Sequence, residues 1–317
     1  MKSQKYAPMI MIAVMLLAPQ IGLCQSFLVV KNEKVRNIVP EDAVIDKLST
    51  GFMFTEGPVW SPEGFLLFSD IPANTIYKLT VQGHRATYVQ PTGNANGLMF
   101  DHNGNLFVCQ HSGRQIARYD NAGGFETVCS EFEGKRFNSP NDLVIRSDGT
   151  IYFTDPPYGL EQGINDPAKE LPYQGVFMYK DGNVSLIDST IPSPNGIILS
   201  PDEKYLYVTH SNNQPNEKKW FRYKVNKDGS VKGKKLFADA SESTEQGGPD
   251  GMTVDGDGNL YFTGPGGILI YDPAGTYLGL LRFPESPANC CFGGVEGKTL
   301  YVTARTSVYC IRLNVNN

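Results

Sequence analysis

Glu56, Asn96, Asn141, Asn195, Asp250 and Asn289 are carboxylates or carboxamides that follow one another at intervals of 40, 45, 54, 55 and 39 residues. Each opens a short apolar stretch and precedes a second, strand-like run by 10 or 11 positions. Brought to one point, such side chains offer hard oxygen donors and two negative charges, a donor set for a hard divalent cation. No histidine or cysteine belongs to the set. Calcium therefore fits first, magnesium or manganese next, and zinc least, because zinc normally recruits nitrogen or sulfur. Glu56, Asn141, Asn195 and Asp250 are the expected direct ligands, with Asn96 and Asn289 behind them or facing a substrate. Two carboxylates would neutralise the ion and leave coordination places for water or a substrate oxygen.

Asparagine and aspartate also cap turns at strand ends, which accounts for some of these positions without any chemistry. Chance alone does not. Asp, Glu, Asn and Gln make up roughly a fifth of an average sequence, so six in six is on the order of one in ten thousand.

The elements that must position them are repeats. One copy joins Glu56-Gly-Pro-Val-Trp60 to Leu66-Leu-Phe-Ser-Asp70, and the next joins Asn96-Gly-Leu-Met-Phe100 to Leu106-Phe-Val108. Asn141-Asp-Leu-Val-Ile145 is followed by Ile151-Tyr-Phe-Thr-Asp155, and Asn195-Gly-Ile-Ile-Leu199 by Leu206-Tyr-Val-Thr209. Asp250-Gly-Met-Thr-Val254 with Leu260-Tyr-Phe-Thr263, and Asn289-Cys-Cys-Phe292 with Leu300-Tyr-Val-Thr303, complete the series. Asn103-Gly104, Asp148-Gly149, Asp202-Glu203 and Asp257-Gly258 tolerate the positive φ of hairpin turns. A unit this long has room for four strands, one propeller blade. The expected fold is an all-β, six-bladed β-propeller occupying residues 25–317 as a single domain. Residues near Val44 to Leu48 are expected to complete the blade that ends at Ser307 to Leu313, so that no sheet edge stays open. A pair of β-sandwiches would not explain six in-register copies, and an open solenoid has shorter turns.

Other chemistry is sparse. There is no G-x-S-x-G elbow, no H-E-x-x-H and no glycine-rich phosphate loop. Asp255-Gly-Asp-Gly-Asn259 mimics the start of a calcium loop, but Leu260 stands where the essential glycine belongs, so it reads as a hairpin turn. His111 lies just beyond the second repeat and either contacts substrate at the channel mouth or sits in a surface loop. Arg136, five residues before Asn141, either binds a substrate carboxylate or hydroxyl or pairs with a nearby acid. Lys218, Lys219, Lys232, Lys234 and Lys235 read as a solvated hairpin face.

The chain of 317 residues is 40% hydrophobic and 19% charged, enough to bury a core, and its 33 glycines and 21 prolines favour strands and turns. A formal charge of −5 provides no basic field for nucleic acid. Two lysines in Met1 to Lys5 and the apolar run Pro8 to Pro19 read as a secretory leader over residues 1–24, too short to span roughly 30 Å of hydrocarbon. Cleavage after Cys24 would make Gln25 the new terminus and the protein periplasmic or secreted. A lipid-modified Cys24, the one route to a stable membrane partner, fits less well after bulky Leu23. Cys109, Cys129, Cys290, Cys291 and Cys310 remain, an odd number without C-x-x-C, so neither a disulfide framework nor cysteine-bound zinc is expected.

Glu56-Gly-Pro-Val-Trp60, Arg136-Phe-Asn-Ser-Pro-Asn-Asp142, Tyr152-Phe-Thr-Asp-Pro156, Ser193-Pro-Asn-Gly196, Pro249-Asp-Gly-Met252 and Asn289-Cys-Cys-Phe-Gly-Gly294 together resemble the senescence marker protein and gluconolactonase family of sugar-lactone hydrolases. The resemblance runs over about residues 45–312. It implies a six-bladed propeller with one divalent ion held by Glu56, Asn141, Asn195 and Asp250, and a small sugar lactone as substrate. Cys290-Cys291 departs from the family's pattern, where a smaller residue is expected. Longer segments around Leu160 to Pro172 and Glu242 to Gly248 are expected to shape the pocket. The reaction so implied is hydrolysis of a cyclic ester, with Asp250 as general base on water or as the attacking nucleophile. A non-catalytic propeller that binds a sugar or protein, and a hydrolase of aryl or phosphate esters, are the competing readings.

Overall fold

A computed structural model describes residues 27–211 and 217–317. The expected leader, with Cys24 and Gln25, lies outside the described residues. Besides a two-stranded ribbon, Glu131–Phe132 with Lys135–Arg136, six antiparallel sheets follow one another along the described residues, and each has four strands running outward from the axis in sequence order, apart from the additions at blades 5 and 6. Their inner strands are, in blade order, Thr55–Trp60, Ala95–Phe100, Leu143–Ile145, Pro194–Leu199, Met252–Val254 and Pro287–Gly293. Each inner strand packs against its neighbours in the ring, and the last packs against the first. The chain is a six-bladed β-propeller.

The second strands show why the repeat is so apolar. Leu66–Asp70, Ile151–Asp155 and Leu260–Gly264 are buried at every position, because a blade is covered on both faces by its neighbours. Such a strand reads as a continuous run rather than an alternation. The outer strands meet water: Arg85–Val89 begins with three exposed residues.

Hydrophobic clusters lie between blades rather than at the axis. Phe52, Leu66 and Phe68 of blade 1 pack with Tyr301 and Val308 of blade 6. Val59 and Leu67 meet Leu98 and Val108, while Ile116 meets Phe137 and Phe153. The other three junctions are built likewise. Trp60 stacks on Tyr301 at 5.2 Å, and Trp220 on Phe262 at 4.9 Å. Each aromatic pair adds about 0.5–1.5 kcal/mol beyond the area it buries.

The ring closes as expected, with slightly different bounds. Ile45–Thr50 forms the outer strand of blade 6, with Ile45 opposite Ile311 and Thr50 opposite Ser307. Glu285 ties this junction together. Its carboxylate accepts the Thr306 N–H at 3.0 Å and the Tyr309 hydroxyl at 2.7 Å, and meets Lys47 Nζ at 3.2 Å. The sequence reading did not foresee a fifth strand on blade 5. Leu28–Val30 pairs with Tyr277–Leu281, and the short helix Val35–Ile38 behind it buries Val35 and Ile38 between blades 5 and 6. The five cysteines of the described residues are free thiols, three of them buried.

Candidate metal centre and active site

The six repeated polar residues stand where the inner strands leave their ladders. Pairing is regular up to Glu56 opposite Ser69 and resumes at Val59 opposite Leu67. The same break carries Asn96-Gly97 between Ala95 and Leu98, and Asn195-Gly196 between Pro194 and Ile197. In blades 3 and 5 the inner strand starts just after Asn141-Asp142 and Asp250-Gly251. A break of this kind re-aims a side chain out of the sheet, here toward the axis.

Small residues beside them let the ring close. A Cβ on Gly97 would stand 2.6 Å from Asp142 Oδ1 and 2.8 Å from the Asn141 carbonyl oxygen. One on Gly196 would stand 2.5 Å from the Asp250 carbonyl oxygen. Gly57 abuts Asn96, and Gly251 abuts Asn289. Backbone bonds follow the same order: Gly97 N–H to the Asn141 carbonyl at 2.9 Å, and Gly196 N–H to that of Asp250 at 3.2 Å. Hydroxyls at the ends of second strands bolt successive blades together. Ser69 Oγ donates to the Asn96 carbonyl at 2.7 Å, and Thr154 Oγ1 to the Asn195 carbonyl at 2.6 Å.

Five of the six residues are buried, and Asp250 is partly so. Glu56 Oε2 accepts the Gly57 N–H at 2.9 Å. Burial, and then the Asp250 charge, push the Glu56 carboxyl well above its ordinary range. Asp250 is pushed up to about 7 by burial and by Asp142, while the Asn195 amide opposes the shift. Asp142 itself is raised to about 7, chiefly by burial. Its Oδ1 accepts the Leu143 N–H at 2.9 Å and its Oδ2 lies 3.5 Å from Asn289 Nδ2. The structure thus brings Glu56, Asn195, Asp250 and Asn289 into one mutually interacting group around the axis. Asn141 adjoins it through the backbone, and no hydrogen bond among the described residues engages its side-chain amide.

This donor set fits a hard cation. Among the described residues no three His, Cys, Asp or Glu side chains form a cage by themselves, so a cation at the axis would also need the carboxamides of Asn141 and Asn195. Crowded buried carboxylates raise one another's pKa when nothing neutralises them. A divalent cation would reverse that, returning Glu56 and Asp250 to the ionised state.

Asn96, His111 and Arg136 stand further back than this group. Asn96 points its amide at His111 Nε2, 3.3 Å away, and His111 is buried behind it, with a pKa lowered to about 4 by burial. The imidazole is neutral at pH 7 and holds Asn96 rather than lying in an exposed loop. Asn289 spends its amide internally, accepting the Cys290 N–H at 2.8 Å through Oδ1 and turning Nδ2 to Asp142. Arg136 is exposed on the rim, where its guanidinium donates to the Gly113 carbonyl at 3.2 Å and its backbone N–H to Glu170 at 2.8 Å. Of the two longer segments, one reaches that rim through Glu170. The other pins itself to blade 5, with Glu245 bridging Arg282 and the Gln246 carbonyl accepting the Gly266 N–H at 2.8 Å.

Sequence reasoning missed Asp142 and Tyr158. Asp142 stands where four of the other five copies have glycine, and that substitution inside the repeat was the available signal. Beyond the ring, in the direction the inner strands run, a cavity of about 230 Å³ is lined by residues such as Trp60, Leu98, Ile197, Met252 and Phe292, with Asp142 and Asn289 also on its wall. Apolar side chains dominate that end of the channel, so the polar donors belong to the opposite mouth.

A family model described as the SMP-30/gluconolactonase/LRE-like region matches residues 54–306. The chain belongs to this family. The gluconolactonase of Zymomonas mobilis is 38% identical over 291 residues, which cover 84% of this chain and 81% of that protein. A gluconolactonase structure from Xanthomonas campestris superposes with a TM-score of 0.80 at 28% identity, covering 90% of this chain and 94% of that one. The calcium-binding protein regucalcin from Agrobacterium tumefaciens, at 18% identity and a TM-score of 0.70, covers 86% and 94% and shares the fold. Within the family the two cysteines at 290–291 cost the site nothing visible. Cys290 is buried with its sulfur 3.7 Å from the Tyr261 carbonyl, and Cys291 packs between blades 6 and 1.

Proposed function

We propose that this protein is a divalent-metal-dependent hydrolase that opens a sugar lactone, and that calcium is its ion. Lactone hydrolysis follows from family membership and from the gluconolactonases to which the chain is similar. Metal dependence is supported by one observation above all: Glu56 and Asp250 share a buried axial site with the amide of Asn195, and Asn141 adjoins it. Calcium is supported by the all-oxygen donor set and by the calcium-binding relative of the same fold.

A cation held by Glu56, Asn141, Asn195 and Asp250 would polarise the lactone carbonyl and stabilise the oxyanion of the tetrahedral intermediate. The chain's own part is to place a base. Asp250 takes the proton of the attacking water through the carboxylate oxygen not engaged by Asn195 or the ion. Asp142 keeps negative potential on Asp250 and so favours its proton-accepting role. Inner-strand backbone, fixed by the glycine contacts around the ring, holds these oxygens in place without loops that would have to close.

Residues 1–24 carry the further proposal of export, tested by cell fractionation of the full-length protein. For the reaction, the test pairs elemental analysis and calorimetric titration with calcium against a pH-stat assay on glucono-δ-lactone. Acid release above the spontaneous rate, abolished by chelation and restored by calcium, is the expected result. Turnover that survives complete chelation would overturn the metal-dependent reading.

A further inference from the structure

Tyr158 is unusual among the large side chains of this protein. It is 45% exposed, yet its hydroxyl end reaches Ser193, Ser211 and Asn195 and lies near the Asp250 carboxylate. The side chain is thus open to solvent and at the same time next to the ring of polar donors.

Its position is built rather than incidental. Asp155, at the end of a blade 3 strand, accepts the N–H groups of Asn138 and Ser139, both at 2.8 Å. Ser139 Oγ then donates to the Pro156 carbonyl at 2.6 Å and accepts the Gly159 N–H at 2.8 Å, clamping both ends of the strap Pro156–Gly159. Pro156 and Pro157 narrow the backbone freedom of the strap. Gly159 cannot be replaced cheaply, because a Cβ there would stand 2.5 Å from that of His111 and 2.8 Å from that of Ser139. Since His111 in turn meets Asn96, the strap is wedged against the ring of donors itself. A tyrosine hydroxyl is a hydrogen-bond donor at neutral pH.

We propose that Tyr158 determines substrate specificity: its hydroxyl donates to a ring hydroxyl of the bound lactone and selects polyhydroxylated over unsubstituted cyclic esters. The assignment rests on the hydrolase reading above and adds a contact to the substrate made by the chain's own side chain. Sites built to hydrogen-bond a substrate hydroxyl reject the analogue that lacks it, whereas an apolar pocket scarcely distinguishes the two.

The test is Tyr158→Phe, which keeps the ring and removes one oxygen, assayed on glucono-δ-lactone and on δ-valerolactone. The expected result is a KM for gluconolactone raised about 5- to 10-fold with kcat within about twofold, as for loss of one uniform binding contact. Valerolactone kinetics and the melting temperature should stay as in the wild type. Equal changes on both lactones, or none on either, would overturn the assignment. Calorimetric titration with D-gluconate, which needs no turnover, separates this inference from the lactonase reading. Weaker gluconate binding by the variant supports Tyr158 even if the wild type proves inactive, and equal binding by both proteins overturns it.

Discussion

Replacing Asp250 by Asn should stabilise the metal-free protein while abolishing calcium binding. In the structure Asp250 is raised from 3.8 to about 7 by burial and by Asp142. About three pKa units correspond to on the order of 4 kcal/mol of penalty on the ionised form. Asp142 and Glu56 share that field, so one substitution should recover roughly 2–4 kcal/mol at pH 8. The sign follows from proton counting. Between pH 3.8 and 7 the folded state holds a proton that the unfolded state has released, so wild-type stability falls as pH rises through this window and stays low above it. The variant lacks this loss. Urea unfolding in excess chelator would therefore show D250N more stable than the wild type at pH 8, with the gap shrinking by about half at pH 5. Adding calcium should stabilise the wild type and leave the variant unmoved. A variant equally stable or less stable than the wild type at pH 8 in chelator would refute the idea that like charges crowd the axis.

The blade 6 closure and the glycine contacts at the axis each carry a further expected outcome. Glu285→Gln should destabilise the blade 6 closure by about 1–3 kcal/mol at pH 7, since hydroxyl and backbone donors hold the carboxyl at about 2. That difference should vanish as pH falls from about 4.5 toward 2, checked by thermal melts of both proteins across that range. Gly196→Ala should weaken calcium affinity by tenfold or more, because its Cβ must displace the Asp250 carbonyl oxygen 2.5 Å away. Titration calorimetry measures this, and an affinity unchanged within twofold would show that the ring has slack there.

The propeller was legible because blade stacking leaves a periodic mark. Second strands covered on both faces must be apolar throughout, and the residues that open inner strands must point one way. Glu56, Asn195 and Asp250 were readable for that reason, and so was the strand near residue 45 that a closed ring requires. Leu28–Val30 was not, because three residues added to an outer edge carry no period. Asp142 was not legible because it stands one position beyond the repeated polar residue, where glycine gives way to a buried acid. His111 was ambiguous in sequence since its burial depends on Gly159, 48 positions away. Tyr158 depends on a clamp made by Ser139, a contact that no spacing rule announces.

Closure at blade 6 sets an order of events for the chain. Ile45 finds its partner Ile311 only when nearly all of the sequence between them has been made. Joining ends so far apart costs roughly 5 kcal/mol of loop entropy, and the enclosed loop is compensated only as intervening blades stack. Until Ser307–Arg312 is available, the early segment waits with an unsatisfied edge. Ring-shaped architecture of this kind makes the pairing of Ile45–Thr50 with Ser307–Arg312 the switch from a string of half-covered sheets to a sealed, binding-competent molecule.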